Sequence, residues 1–428
     1  MGVEEHLPDS ARALPTGFRR LLLAWAGSLT GDGLRMIALP LLAVRINPSP
    51  AAVALVAVAS TLPWLVVAIP AGALVDRLNP ARVMATAHLT RAALSLAVVA
   101  NVVTGTVSIP LLCVIGFAIT SAETFADGSA QTLLLQIVPH GQLERANARF
   151  VTAETLALDM VGPLAAGFLF VLATWLPFAA SAGCFLFATV TVAPLASTRP
   201  VGRGGTAGSD PLADSGPGAP ALGALASIRI GLQRLAGDPV LRTLVITVGV
   251  MAIAVTAIDA VLVLYGTQTL EMSEAWYPTL LVSYSCGTLL AAAFVGRVIA
   301  RLRGGQAMMI ALFGISAAMI ILGLVPVIAV ALLAFGLMGV GGGTWNVLSA
   351  TRRQRRTPPD MIGRVSSAFR VVAWGVLPIG ALLGGAIGQR WGVPSVFLVA
   401  GLMVAVLGVI VVRSFVRVEP DPHGGPAA

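Results

Sequence analysis

Asp32 and Arg35 stand three residues apart in a long apolar run, flanked by Gly31 and Gly33. That spacing sets an acid and a base on one face of a helix. Glu123 and Asp127 stand four apart, with Gln131 four further on, so a second apolar run also carries one polar face. Asp159 and Arg91 are charges inside two other runs. An ionisable side chain in hydrocarbon is costly, so it marks an ion path or pairs with an opposite charge. Desolvation favours the neutral form of a carboxylate, which suits a group that takes up a proton in one setting and releases it in another. Asp32 is the first candidate for that chemistry, against a static Asp32–Arg35 pair, and Glu123 is the second. Asp127 serves either in coupling or as a structural partner of Arg77 or Arg91, and Asp159 either in coupling or as a partner of Arg91. Trp345 and Asn346 follow the glycine-rich stretch 339–343 and offer an aromatic ring and an amide to a small organic ligand. His6, His88, His140 and His423 are scattered, and Cys113, Cys184 and Cys286 have no metal-ligand spacing. Neither a metal site nor a nucleophile–base pair is expected, and an enzyme is a weak reading.

The elements that must position these groups are twelve apolar runs: 21–46, 52–75, 83–103, 109–136, 149–174, 176–195, 241–265, 276–296, 306–324, 326–350, 364–388 and 393–413. A run of about 20 apolar residues crosses a bilayer as a helix, which satisfies its own backbone there. The chain of 428 residues is 57% hydrophobic and 11% charged, and its mean hydropathy is +0.90. That composition excludes a water-soluble globule.

All 27 basic side chains are arginine. All but Arg35, Arg45, Arg91, Arg370 and Arg390 fall in the two tails or in every second gap between runs. This bias sets insertion direction, so both termini are expected in the cytoplasm and the protein in the plasma (inner) membrane. It also accounts for the net charge of +8 without nucleic acid as a partner.

Five segments are expected: a cytoplasmic tail over 1–20, a six-helix bundle over 21–196, a cytoplasmic linker over 197–240, a second six-helix bundle over 241–413 and a tail over 414–428. Within the linker, 200–225 reads as disordered and 228–235 as a short amphipathic helix at the membrane surface. The halves echo one another. Gly72…Arg77 lines up with Gly296…Arg301 at an offset of 224, Pro139…Arg145…Phe150 with Pro358…Arg364…Phe369 at 219, and Gly162…Gly167 with Gly380…Gly385 at 218. A duplicated six-helix unit follows, an architecture in which a binding site forms near the midplane between repeats.

The stretch from Gly72 through Asp76, Arg77, Leu78 and Asn79 to Arg82 resembles the second-to-third-loop signature of the major facilitator superfamily, GxLxDRxGRR. Asn79, Pro80 and Ala81 depart from that pattern. The resemblance implies an all-α membrane fold of twelve helices in two pseudo-symmetric bundles, with helices one, four, seven and ten lining a central cavity. It also implies a cytoplasmic latch. In it Asp76 accepts hydrogen bonds from the start of the eleventh helix near Arg364, and Arg77 pairs with an acid on the fourth. Gly31-Asp32, Leu143–Asn147, Gly162-Pro163 and Gly363–Ser367 are similar to the enterobactin-exporter and macrolide-efflux-like group. Gly162, Pro163 and Gly167 also resemble an antiporter signature, in which small residues and a proline let helices pack closely and bend.

The expectation that follows is a monomeric secondary transporter that exports a small organic molecule by proton antiport. The proton gradient would be its energy source, with no cofactor and no ATP-binding motif. An importer or facilitator of a metabolite on the same fold is the alternative, and a non-transporting receptor or scaffold is weaker.

Overall fold

Every described residue that belongs to a regular element lies in a helix or helical turn; no strand occurs among them. The computed structural model describes residues 14–75, 77–197, 221–301, 304–358 and 361–416. The first half contains α1 (Thr16–Ile46), α2 (Pro50–Val66), α3 (Ala68–Val75), α4 (Pro80–Thr104), α5 (Ile109–Ile137), α6 (Leu143–Leu156), α7 (Gly162–Leu172) and α8 (Leu176–Val192). After the linker come α9 (Ala221–Gly237), α10 (Pro239–Asp259), α11 (Leu262–Leu264), α12 (Thr279–Arg301), α13 (Gly304–Leu324), α14 (Ile328–Arg356), α15 (Ile362–Gly375), α16 (Leu377–Trp391) and α17 (Val393–Val416). Counting α2 with α3, α6 with α7, α10 with α11 and α15 with α16, and leaving out α9 of the linker, gives the twelve expected crossings. Nine of these are long and apolar enough to span a bilayer, and α2 and residues 279–294 of α12 are shorter apolar helices. The twelfth is α1, whose 31 residues include Asp32 and Arg35.

Local chemistry fixes many of the ends. Proline stands in the first turn of α4, α5, α8, α10 and α16, where its missing N–H costs nothing and its φ is already helical. Asn79 caps α4, its Oδ1 accepting from the amides of Ala81 and Arg82. Asp238 caps α10 by accepting from Val240 and Leu241. Gly105 closes α4 with φ 72°, a conformation that favours glycine.

The described residues form two compact units. One contains 14–42, 66–197 and 274–278, and the other 43–65, 221–273 and 279–416. Each is built mainly from one half of the sequence, and each repeats the same neighbour relations. In the first unit α4 packs on α5 and α8; in the second α13 packs on α14 and α17. The repeat extends to single hydrogen bonds: the Gln142 amide donates to the Pro139 carbonyl at 2.9 Å, and the Met361 amide to the Pro358 carbonyl at 2.9 Å.

Of the linker, residues 198–220 lie outside the described residues, as do both expected tails apart from 14–20 and 414–416. Residues 221–225, expected to be disordered, form the first turns of α9 instead. That helix lies against α15 in the second unit, where a Cβ on Gly231 would come 2.3 Å from the Arg364 carbonyl oxygen.

Between α6 and α7 the helix widens into a π-turn over Ala157–Val161, in which the Gly162 amide reaches back to the Ala157 carbonyl. Gly162 then lets α1 come close, since a Cβ there would lie 2.7 Å from the Gly33 Cα. Gly162→Val should therefore lower the thermal unfolding temperature, at a cost of about 1–3 kcal/mol from overpacking. Gly183→Ala, at a site with open space around it, should leave that temperature unchanged or slightly higher in the same detergent.

Candidate functional site

The charges that the sequence places within apolar runs meet in the first unit, on α1, α4 and α5. Arg91 of α4 is completely buried. Its Nη2 donates to Asp32 Oδ1 on α1, its Nη1 donates to Ser28 Oγ at 2.9 Å, and Glu123 Oε2 on α5 lies 3.8 Å from Nη2. Arg35 bridges the two acids, with its Nη2 2.9 Å from Glu123 Oε2 and 3.5 Å from Asp32 Oδ1. The result is a closed ring of two guanidinium and two carboxylate groups. Such a ring offsets desolvation only when geometry and hydrogen bonding are good. The Arg91 guanidinium also lies over the Phe185 ring at 4.0 Å, a contact favoured when the cation is desolvated.

Glycine makes this arrangement possible. A Cβ on Gly31 would lie 2.9 Å from the Phe185 ring, and one on Gly33 would lie 2.8 Å from the Leu158 carbonyl. With those two residues bare, α1 presses against α8 and α7 and carries Asp32 into reach of Arg91. The Ser181 hydroxyl ties the same contact by donating to the Gly31 carbonyl at 2.8 Å.

The other sequence candidates fall in several places. Asp127 is half-buried one turn beyond Glu123 and makes no ion pair among the described residues. Asp159 sits in the π-turn, half-buried, and does not reach Arg91, whose acids are Asp32 and Glu123. Trp345 is 2% exposed and packs edge-on against Phe415. It is a core residue, because helix phase turns its ring into the second unit. Asn346, its neighbour, does line a cavity of about 440 Å³ in that unit. Gly167 makes room for the segment 274–278, as a Cβ there would meet the Ala275 carbonyl at 2.7 Å.

At the loop after α3, Asp76 lies outside the described residues. Gly72 belongs to α3, and Arg77 and Arg82 are exposed. Arg77 makes no ion pair with an acid of α5 among the described residues. Arg364 is exposed near the start of α15.

Three participants carried a weaker signal in the sequence. Arg91 is a lone charge in its run, and its true partners lie 59 and 32 positions away. Phe185 and Ser28 are unremarkable in an apolar sequence. His88, one turn before Arg91, is fully buried, stacks on Phe185 at 6.4 Å and has neither ring nitrogen hydrogen-bonded.

A family profile described as Major Facilitator Superfamily matches residues 21–377. The chain belongs to the Major Facilitator Superfamily. It is a multi-pass membrane transporter and not an enzyme. Among curated proteins, it is 27% identical over 419 residues to the multidrug efflux pump Tap of Mycolicibacterium fortuitum, covering 92% of this chain and 95% of Tap. Solved structures of this fold superpose over nearly the whole chain. A bacterial homologue of the iron transporter ferroportin matches with TM-score 0.75 at 15% identity, over 95% of this chain and 100% of that one. A bacterial homologue of the lysosomal transporter Spinster matches with TM-score 0.70 at 12% identity, over 98% and 100%. The nucleoside transporter NupG matches with TM-score 0.69 at 12% identity, over 94% and 100%. At these identities the structures establish fold alone.

Removing Arg91 from this superfamily member should leave the buried Asp32 with only its longer contact to Arg35. Arg91→Met is expected to cost about 3–5 kcal/mol, read as a lower unfolding temperature, and adding Asp32→Asn should recover part of the loss. Asn79→Ala, which removes the cap of α4, should cost about 1 kcal/mol by the same measurement.

Proposed function

We propose that the chain exports a small organic molecule across the plasma membrane in exchange for protons, acting as a monomer with both termini in the cytoplasm. The observation that carries this reading is the buried charge cluster of α1, α4 and α5. Its two guanidinium groups supply two positive charges. Facing them are Asp32 and Glu123, and Asp127 stands one turn further along α5. Three carboxylates against two guanidinium groups balance only with one proton bound, and an uncompensated charge at that depth is expensive. Asp32 is held by Arg91 and acts as the anchor. Glu123 shares its arginines with Asp32, and Asp127 has none of its own, so the exchangeable proton belongs to the Glu123–Asp127 pair.

Alternating access supplies the rest. As the two halves rock about a central site, that pair meets one side of the membrane and then the other, and protonation sets which arrangement is favoured. The segment from Gly72 of α3 through Asp76 and Arg77 to Arg82 of α4 serves as the cytoplasmic latch, with the start of α15 at Arg364 as its counterpart. The proton gradient is the only energy source needed, and no cofactor takes part. The efflux direction draws on the likeness to the multidrug pump and on the motifs shared with the enterobactin-exporter and macrolide-efflux-like branch. The cargo class is accordingly a drug, an antibiotic or a siderophore.

Inverted membrane vesicles test this directly. With an acid lumen, wild type should accumulate members of an antibiotic and siderophore panel, and collapse of the gradient should abolish accumulation. Asp127→Asn and Glu123→Gln should lose gradient-driven accumulation while keeping cargo exchange at equal pH. Accumulation by both variants at the wild-type rate would remove these acids from coupling. Accumulation only in right-side-out vesicles would make the protein an importer.

A further inference from the structure

The second unit holds a cavity that the proton-coupling cluster does not use. It has a volume of about 440 Å³ and lies among α10, α14, α15 and the start of α16. Asn346, Ser349 and Arg353 line it from α14, at spacings that share one helix face. Phe369, Arg370 and Trp374 line it from α15. The remaining wall is aliphatic.

Two guanidinium groups thus border one small cavity, and none of its lining residues is an acid. Neither Arg353 nor Arg370 makes an ion pair with a described residue, whereas Arg356, one turn away, lies 3.8 Å from Asp238. Arg353 lies over the Phe369 ring at 4.1 Å, and its buried Nε has no hydrogen-bond partner. Like charges sharing a half-buried wall repel each other. A cation with a vacant donor is left wanting an acceptor, and a planar fork suits a carboxylate or a phosphate oxygen pair. Trp374, held edge-on by Trp64 at 5.0 Å, offers a flat apolar face beside those donors. The volume falls in the range of small-molecule sites.

We propose that this cavity binds an organic anion, its carboxylate or phosphate held by Arg353 and Arg370 and its aromatic or apolar body laid against Trp374. Asn346 and Ser349 supply the further polar contacts that orient it. The site lies wholly in the second unit and stands apart from the direction of transport and from proton coupling. Its anion comes either from solution or from the headgroup of an acidic lipid.

The test uses the full chain in phosphatidylcholine nanodiscs with tritiated 1-naphthoate as probe, empty discs giving the background. Saturable binding is expected, with neutral 1-naphthamide failing to compete. Arg370→Gln should weaken binding about ten-fold or more, the loss of one charge-assisted contact, and Arg370→Lys should recover part of it. Arg370 is exposed, so folding is not at stake there; Arg353→Gln is scored only with an unfolding curve like that of wild type, and should also lose binding. Replacing part of the lipid by phosphatidylglycerol separates the sources. Weaker naphthoate binding in those discs, absent in Arg370→Gln, supports the site with a lipid headgroup as occupant; equal binding in both supports it with a soluble anion. Absence of saturable binding, equal competition by the amide, or unchanged affinity in Arg370→Gln would each overturn the assignment.

Discussion

A guanidinium sealed from water and lipid has to be ringed by acids, and Arg91 imposes that demand on three helices at once. Its side chain is fully buried, so α1 must deliver Asp32 and α5 must deliver Glu123 to it. Neither helix is free to slide or turn without breaking the ring. The glycines of α1 are the other half of the same constraint. Gly31 and Gly33 remove the side chains that would hold α1 away from Phe185 and from the turn at Leu158. The close packing of the first unit and its buried electrostatics are therefore one requirement, met by residues on four helices.

The second unit shows what the same scaffold becomes without that demand. α5 and α14 are both 29 residues long and begin at Ile109 and Ile328. In this register Asp127 corresponds to Asn346, and Glu123 to Gly342. The acids of the first half are thus an amide and a glycine in the second. Among the described residues the ring of charges has no counterpart there, and Arg353 of α14 and Arg370 of α15 border a cavity with no acid in its wall. The two halves share neighbour relations, and a few matched positions that differ in residue type give them different electrostatics.

How much was legible in the sequence follows from the physics of each feature. The crossings were legible because hydrocarbon thickness dictates their length: the run expected over 109–136 is the helix Ile109–Ile137. The run expected over 241–265 is interrupted, since α10 ends at Asp259 and α11 begins at Leu262, and an apolar stretch carries no mark of such a break. Asp32 was recognisable as a buried charge. Its strongest partner was not, because the nearest base along the chain is Arg35, whereas Arg91 reaches it only once α1 and α4 are neighbours. Trp345 illustrates the limit of face assignment: in a helix apolar on most sides, periodicity does not say which direction is inward. The cap on α4 lies in plain view as Asn79-Pro80, and it gives physical meaning to a place where the loop departs from the superfamily pattern.

The wide turn at Ala157–Val161 also explains an arithmetic oddity of the duplication. Matched positions before it differ by 219, as with Phe150 and Phe369, and those after it differ by 218, as with Gly162 and Gly380. The first half therefore carries one additional residue at this point, and the π-turn takes it up locally. Had a regular helix absorbed the same insertion, everything beyond it would have swung by about 100°, carrying Gly162 away from Gly33. The additional residue is thus confined to a single turn, leaving the two halves in phase and the first of them with a carboxylate, Asp159, where it is taken up.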